Sequence, residues 1–291
     1  MQKNLDRRKF FAQAAAATAL AGSVTTGLSG SEQPQPAAAK TILAIGAHMD
    51  DCEIGAGGLI AKAVRKGHRV VVLNLASDYS TFRPLQGREK EVRERVLHKA
   101  KEMGIEKRFL EYGYQQIPRD QEAIKRLARE VIDVRPDITV FHNPFEPKPS
   151  DHATVGYIGE RAVRDATRIL NTYVPFSEEM YTFEVYPRIS EFKPNIFIDI
   201  TDVIGDVVQA VNYFDEIYAG NLHNPQPHAG PRAKIWIDKW GSDPIPLWPH
   251  GDMKLVTAAF RGWQCEARYA EAYMALDPRP LGKRLLEQIV Q

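Results

Sequence analysis

Lys40–Gly58 reads KTILAIGAHMDDCEIGAGG, and the fold turns on how this stretch is read. Ile42–Gly46 is an unbroken apolar or small run. A strand covered on both faces looks like this, whereas a strand with one wet face alternates. Just beyond it stand His48, Asp50, Asp51 and Glu53, followed by Gly55, Gly57 and Gly58. Open α/β sheets keep their ligands outside the carboxyl ends of parallel strands, so polar groups gathered here predict a site. The glycines are expected to turn the chain closely into a helix. A dinucleotide-binding GxGxxG loop is excluded, because its third glycine would fall on Ile60. His48 and Asp51 are three apart, so one turn of backbone can aim both at a common point while Asp50 aims elsewhere. An imidazole and a carboxylate are two of the three protein ligands of a catalytic zinc site that keeps a position for water. The spare carboxylate is then available as the base for that water. An isolated H-x-x-D more often closes a turn or caps a helix, so the rest of the chain has to decide.

Working outward, Leu59, Ile60, Ala63 and Val64 form one helical stripe that Gly67 stops, and Arg69–Leu75 is a second buried strand. Strand, helix and strand make a βαβ unit. Ser77–Gly87 is a polar loop, and Glu89–Met103 a charged helix with a solvated face. Asp120 caps a helix carrying Ile124, Leu127, Ala128, Val131 and Ile132, which Pro136 ends. Asp137–Phe141 is another buried strand, and His142, Asn143, Glu146, Lys148, Asp151 and His152 gather beyond it. A helix is predicted from Val155 to Leu170, with His152 at its entrance as His48 stands before its own helix. Set against His48 and Asp51 from a neighbouring strand end, His152 completes a zinc-type set of two histidines and one aspartate. Tyr181–Tyr186 and Asn195–Ile200 read as strands, and Asp202 caps a helix bearing Val203, Val207, Ala210, Val211 and Phe214. Asn221–Pro249 is rich in proline, holds three tryptophans, and lies among His223, His228 and His250. A long loop of this kind is expected to be a lid or binding loop, or to be tied to the core by its tryptophans.

A-H-x-D-D at a strand end followed by G-x-G-G resembles the PIG-L/LmbE family of zinc-dependent N-deacetylases. The family form is A-H-P-D-D; here Met49 replaces the proline, and Glu53 follows Cys52 one place later than in many members. The second family motif, H-x-D-H, corresponds to Pro149-Ser150-Asp151-His152. The metal histidine is kept and the auxiliary histidine is missing, so Lys148, or a histidine from elsewhere, would have to replace it. Asp199-Ile200-Thr201 resembles the family's D-I-T, and Tyr269-Ala270-Glu271 its pocket-bordering Y-A-E. The resemblance implies substrate contacts at Arg88, with Arg93 behind it, and at Asp151, Tyr269 and Glu271. The fold expected is a single three-layer α/β/α sandwich with a mostly parallel, Rossmann-like sheet over residues 40–291.

Residues 1–39 read as an address and a tether. Arg7-Arg8-Lys9-Phe10-Phe11 before an Ala-rich run to Ala21 resembles a twin-arginine export signal, with small-residue cleavage sites at Ala19–Ala21 and Ala37–Ala39. Export, in the sense of a periplasmic location, is the expectation. The Ala-rich run falls short of the roughly 20 apolar residues of a stable membrane span. Setting aside the four basic and two acidic residues before Lys40 leaves 34 basic and 35 acidic ones. That balance offers nothing to nucleic acid or an anionic membrane surface. Two cysteines, Cys52 and Cys265, do not make a disulfide scaffold, and free thiols are expected.

The function expected is therefore hydrolysis of an N-acyl, above all N-acetyl, group from an amino-sugar-like small molecule or glycan. One Zn²⁺ per chain would be held by His48, Asp51 and His152, with Asp50 as general base. One rival is a non-catalytic carbohydrate-binding protein on the same fold; another is metal-dependent hydrolysis of a different bond, such as a phosphoester. Retention of Asp50 speaks against the first, and the lack of a second ligand cluster in the sequence against a two-metal phosphoesterase. Homo-oligomer formation is left open.

Overall fold

A computed structural model describes residues 38–146, 149–173, 179–186, 192–219, 249–276 and 285–290. The chain begins with β1 (Thr41–Gly46), α1 (Asp51–Arg65), β2 (Arg69–Asp78), α2 (Glu89–Glu102) and β3 (Glu106–Gly113). It continues through α3 (Gln121–Val134), β4 (Ile138–His142), α4 (Ser150–Ile169), β5 (Met180–Phe183) and β6 (Ile196–Asp199). It closes with α5 (Ile204–Ala219), α6 (Pro249–Gln264), β7 (Ala270–Ala275) and α7 (Leu285–Val290). The sheet order is β3-β2-β1-β4-β5-β7-β6. β1 pairs in parallel with β2 on one side and β4 on the other, with Ile42 opposite both Val70 and Ile138. β7 alone among these strands runs against its neighbours, β5 and β6. The mostly parallel α/β/α sandwich expected from the sequence is the fold observed.

Alternate residues of β1 supply both cores. Ile42 and Ala44 pack with Leu59 of α1, Val207 of α5 and Leu255 of α6. Leu43 and Ile45 pack with Leu127 of α3 and Ile158 of α4. Burial on both faces explains why β1, β2 and β4 read as unbroken apolar runs. The direction of strand succession reverses between β1 and β4, since β2 and β3 follow on one side and β5 on the other. That reversal opens a crevice at the carboxyl ends of β1 and β4.

The structure corrects the sequence reading in three places. α1 starts at Asp51, not after the glycines, and is interrupted by non-helical angles at Ala56. Gly55, Gly57 and Gly58 therefore lie inside the helix and serve close packing: a Cβ at Gly55 would sit 2.2 Å from the Phe183 ring, and one at Gly58 2.3 Å from Ile200. α4 starts at Ser150, so His152 belongs to its first turn. β3, α6 and β7 were not foreseen, because β3 carries Lys107 and Arg108 within an edge strand and AEAYMA reads locally as helix. The leader, Lys148 and the tryptophans of the Pro-rich loop lie outside the described residues.

Candidate active site

The four residues between β1 and α1 have their backbone groups held by the start of α1 and by distant parts of the chain. Ala47 N–H donates to His142 Nε2 (3.1 Å), and Ala47 C=O accepts from Ala76 N–H (2.9 Å). His48 N–H donates to Asp51 Oδ2 (2.6 Å), while the Asn74 amide donates to His48 C=O. Met49 N–H donates to the Tyr79 hydroxyl (2.9 Å), and Lys107 Nζ reaches Met49 C=O (2.6 Å) and Glu53 Oε1 (2.7 Å). Asp50 C=O accepts from Ile54 N–H (3.0 Å). Apart from the Asp51 oxygen that accepts the His48 N–H, the side chains of His48, Asp50 and Asp51 take no part in satisfying this backbone and remain available for chemistry. Asp50 stands at the N-cap of α1, yet its carboxylate makes no capping bond.

His48, Asp51 and His152 each offer a ligand atom within 4.8 Å of the others. Asp51 Oδ2 lies 3.4 Å from His48 Nδ1, and Asp51 Oδ1 lies 3.2 Å from His152 Nε2. His48 Nε2 meets Asp151 Oδ2 at 3.1 Å, which fixes the ring and leaves Nδ1 on the Asp51 side. Both ring nitrogens of His152 are buried without a properly aligned hydrogen bond, although Glu146 Oε2 is 3.2 Å from Nδ1. Unpaired buried nitrogens are costly and rare, and a cation at the Nε2 side removes that cost. Four buried carboxylates, Asp50, Asp51, Glu146 and Asp151, add a negative field. Burial works against charge on His48 and His152, but Asp51 with Asp151 or Glu146 outweighs it and pushes them up to about 9 and about 10. Burial likewise opposes ionisation of Asp51, and the surrounding histidines His152, His142 and His48 overcome it and hold its carboxyl well below the usual range. The donor set and its charge fit a divalent cation such as zinc.

His142, Glu146 and His152 form a second trio that shares His152. His142 stacks on His152 with ring centroids 4.0 Å apart, and its Nδ1 lies 3.3 Å from Glu146 Oε2. Glu146 Oε1 also accepts Tyr186 N–H (2.8 Å). His142 and Glu146 are fully buried and already paired with each other, which suits them to orienting His152 from behind. Sequence reasoning placed His142 and Glu146 among the polar residues after β4 but assigned them no role; adjacency to a strand end was the available signal.

Asp50 faces the opposite way, and the Tyr218 hydroxyl donates to its Oδ1 (2.9 Å). Burial, followed by repulsion from Asp51, raises the Asp50 carboxyl above its ordinary range. Tyr114, Phe82 and Tyr218 form an aromatic wall beside it: Phe82 is 4.4 Å from Tyr114 and 5.8 Å from Tyr218, and Tyr114 is 4.9 Å from His48, between ring centroids.

The expected substrate contacts fall differently. Asp151 is buried and turned to His48. Glu271 is buried as well: its carboxylate accepts Gly58 N–H (2.7 Å) and Leu59 N–H (2.9 Å) at the break in α1 and pairs with Lys254. Tyr269 is buried, and its backbone carbonyl accepts from Ile200 N–H (2.9 Å). Asp151 and Glu271 therefore support the scaffold, because their carboxylates are bonded within the protein. Arg88 donates to Ile217 C=O (3.1 Å), next to Tyr218, and pairs with Glu91. Arg93 is held by Glu111. Cys52 and Cys265 are unpaired thiols.

A sandwich of this topology, with a His/Asp centre at its switch point, is the arrangement of a Rossmann-like, metal-dependent hydrolase. A profile of the GlcNAc-PI de-N-acetylase (PIG-L) family matches residues 43–163. Diacetylchitobiose deacetylase of Thermococcus kodakarensis is 30% identical over 181 residues, which are 59% of this chain and 68% of that protein. The chain belongs to the PIG-L family and is an enzyme of its hydrolytic, amide-cleaving type. N,N'-diacetylchitobiose deacetylase from Pyrococcus horikoshii shares the fold, with TM-score 0.61 and 22% identity over 84% of this chain and 88% of that one. So does GalB, a 4-carboxy-2-hydroxymuconate hydratase from Pseudomonas putida, with TM-score 0.57 and 21% identity over 84% of this chain and 99% of that one.

Proposed function

We propose that the chain removes an acetyl group from the nitrogen of an amino sugar, with zinc held by His48, Asp51 and His152 and with Asp50 as general base. The observation that carries this reading is the division of labour between adjacent carboxylates: Asp51 faces His48 and His152, while Asp50 makes no cap and faces Tyr218. When bound, zinc would supply Lewis acidity, lowering the pKa of a water and favouring charge on the amide oxygen. Asp50 takes the proton of the attacking water, a task suited by burial that raises its affinity for a proton. The Tyr218 hydroxyl occupies Oδ1 and holds the carboxylate in one orientation. Asp151 orients His48, and Glu146 faces Nδ1 of His152, so neither imidazole is free to turn. The aromatic wall of Phe82, Tyr114 and Tyr218 offers an apolar face to a sugar ring. The named activity of the Thermococcus relative supports a chitobiose-like N-acetyl sugar as the substrate class.

The test is metal analysis of the purified protein together with primary-amine release from a panel of N-acyl sugars, N,N'-diacetylchitobiose included. Stoichiometric zinc with amine release is the expected result. A zinc-loaded protein that releases no amine but binds the sugars would point instead to a carbohydrate-binding protein.

A further inference from the structure

The nitrogen of an amide has to be protonated before the C–N bond breaks, since an amide anion is not a viable leaving group. Pro149 offers no proton at the first position of the second motif, and Asp50 is committed to the water. On the far side of Asp50, α5 and α6 bring Asp215 and His250 together. Asp215 is buried, and its carboxylate accepts both the backbone N–H of His250 (3.1 Å) and the ring Nδ1. A single carboxylate gripping backbone and ring together sets the rotation of the imidazole. Nε2 is thereby left facing away from Asp215, 3.5 Å from the Tyr186 hydroxyl. The Tyr186 and Tyr218 rings each lie 6.4 Å from the His250 ring, between centroids. Tyr186 in turn stacks parallel to His152 at 5.8 Å, and Tyr218 holds Asp50. One residue thus separates His250 from a candidate metal ligand on one side and from the candidate base on the other.

We propose that His250 is the general acid that protonates the departing amine, with Asp215 as its positioning residue. The assignment rests on the deacetylase reading and adds a catalytic group to it. In the step, Asp50 takes a proton from water, and the oxygen so formed bonds to the acyl carbon. The amide nitrogen then takes the Nε2 proton of His250, the C–N bond breaks with its electron pair going to nitrogen, and the free amine and carboxylic acid leave. Asp50 holds one extra proton and His250 lacks one; transfer between them through solvent restores both. The groups facing the imidazole are Asp215 and Tyr218 from α5, Tyr186 after β5, and Asp50 and Asp51 at the start of α1. Burial opposes its charge, but Asp215 and then Asp50 outweigh it and push the imidazole up to about 9, so it carries the required proton at neutral pH.

The experiment compares wild type, His250→Gln and Asp215→Asn in full-length, zinc-loaded protein. The probes are an N-acetyl sugar from the panel above and its counterpart with an O-acetyl group at the same ring position. An alkoxide leaves with far less help from an acid than an amine does. His250→Gln is expected to lower kcat on the amide by about 10² to 10⁴ and on the ester by less than about tenfold. The fall of wild-type activity above about pH 9 should vanish in His250→Gln and begin at lower pH in Asp215→Asn, with zinc content unchanged in both. Wild-type amide turnover in His250→Gln, or equal losses on amide and ester, overturns the assignment while leaving the deacetylase reading intact. A wild type inactive on every N-acyl sugar overturns that reading, and the role of His250 with it.

Discussion

Met49 stands where the family motif has proline, and its N–H is spent on the Tyr79 hydroxyl. Proline has no N–H to give, so this loop is held by a bond that the usual motif cannot make. At the next residue, Asp50→Asn keeps size and most hydrogen bonding but cannot take a proton. Turnover is expected to fall by about 10² to 10⁴ with zinc content unchanged, read by steady-state kinetics beside metal analysis. A capping role would instead cost about 1 kcal/mol of stability and little turnover. His48→Ala and His152→Ala are each expected to lose the metal to dilute chelator, because two protein ligands hold zinc poorly. Protons compete with the metal for the same nitrogens, and in the metal-free chain those nitrogens stay protonated up to about 9 at His48 and about 10 at His152. Zinc uptake should therefore release protons, and its affinity should rise with pH through that range, which calorimetry in buffers of different ionisation enthalpy will read. An affinity independent of pH between 7 and about 9 would exclude these two histidines as ligands.

Among the elements, α1 carries the greatest demands. Its first residue, Asp51, belongs to the site, and its glycines let the helix approach Phe183, Val207 and Ile200 closely. The helix breaks at Ala56, and Glu271 from β7 accepts the N–H groups of Gly58 and Leu59 just beyond the break. Lys254 of α6 neutralises that carboxylate and donates to Ile54 C=O (2.7 Å). Removing one member of a buried pair strands the other, at a cost of about 3–5 kcal/mol. Glu271→Gln should lose stability on that scale in urea denaturation at saturating zinc, with KM for the sugar unchanged. A raised KM with unchanged stability would restore Glu271 as a substrate contact.

At the scale of the whole molecule, two apolar layers clamp the sheet, and a third apolar cluster built on Met49, Tyr79, Val92, Val96, Phe214 and Ile217 backs the site loop. Among the described residues, no helix is long and apolar enough to cross a membrane. Export rests on Arg7 and Arg8 and remains a proposal from the sequence. Replacing both arginines with lysine is expected to leave unprocessed precursor inside the cell, while wild type appears processed outside the cytoplasm. Fractionation and immunoblotting read the outcome, and equal export of the two chains would reject a twin-arginine route.

β1, β2, β4 and α3 were legible in the chain because their signals are local: unbroken apolar runs, an Asp120 cap, and a stripe with the helical period. The placement of the site at the carboxyl ends of two strands followed from the polar residues crowding there, and the three-apart spacing of His48 and Asp51 already placed both on one turn. That these ends flank the switch point came only with the strand order. What surrounds them was not legible. Tyr218 meets Asp50 from 168 residues away, and Glu271 reaches Gly58 from 213. No local periodicity encodes such pairings, because they depend on how α5, α6 and β7 settle against the sheet. The same holds for charge: whether a histidine is an ordinary surface base or the proton-holding neighbour of a buried aspartate depends on desolvation and on partners that packing brings from distant segments.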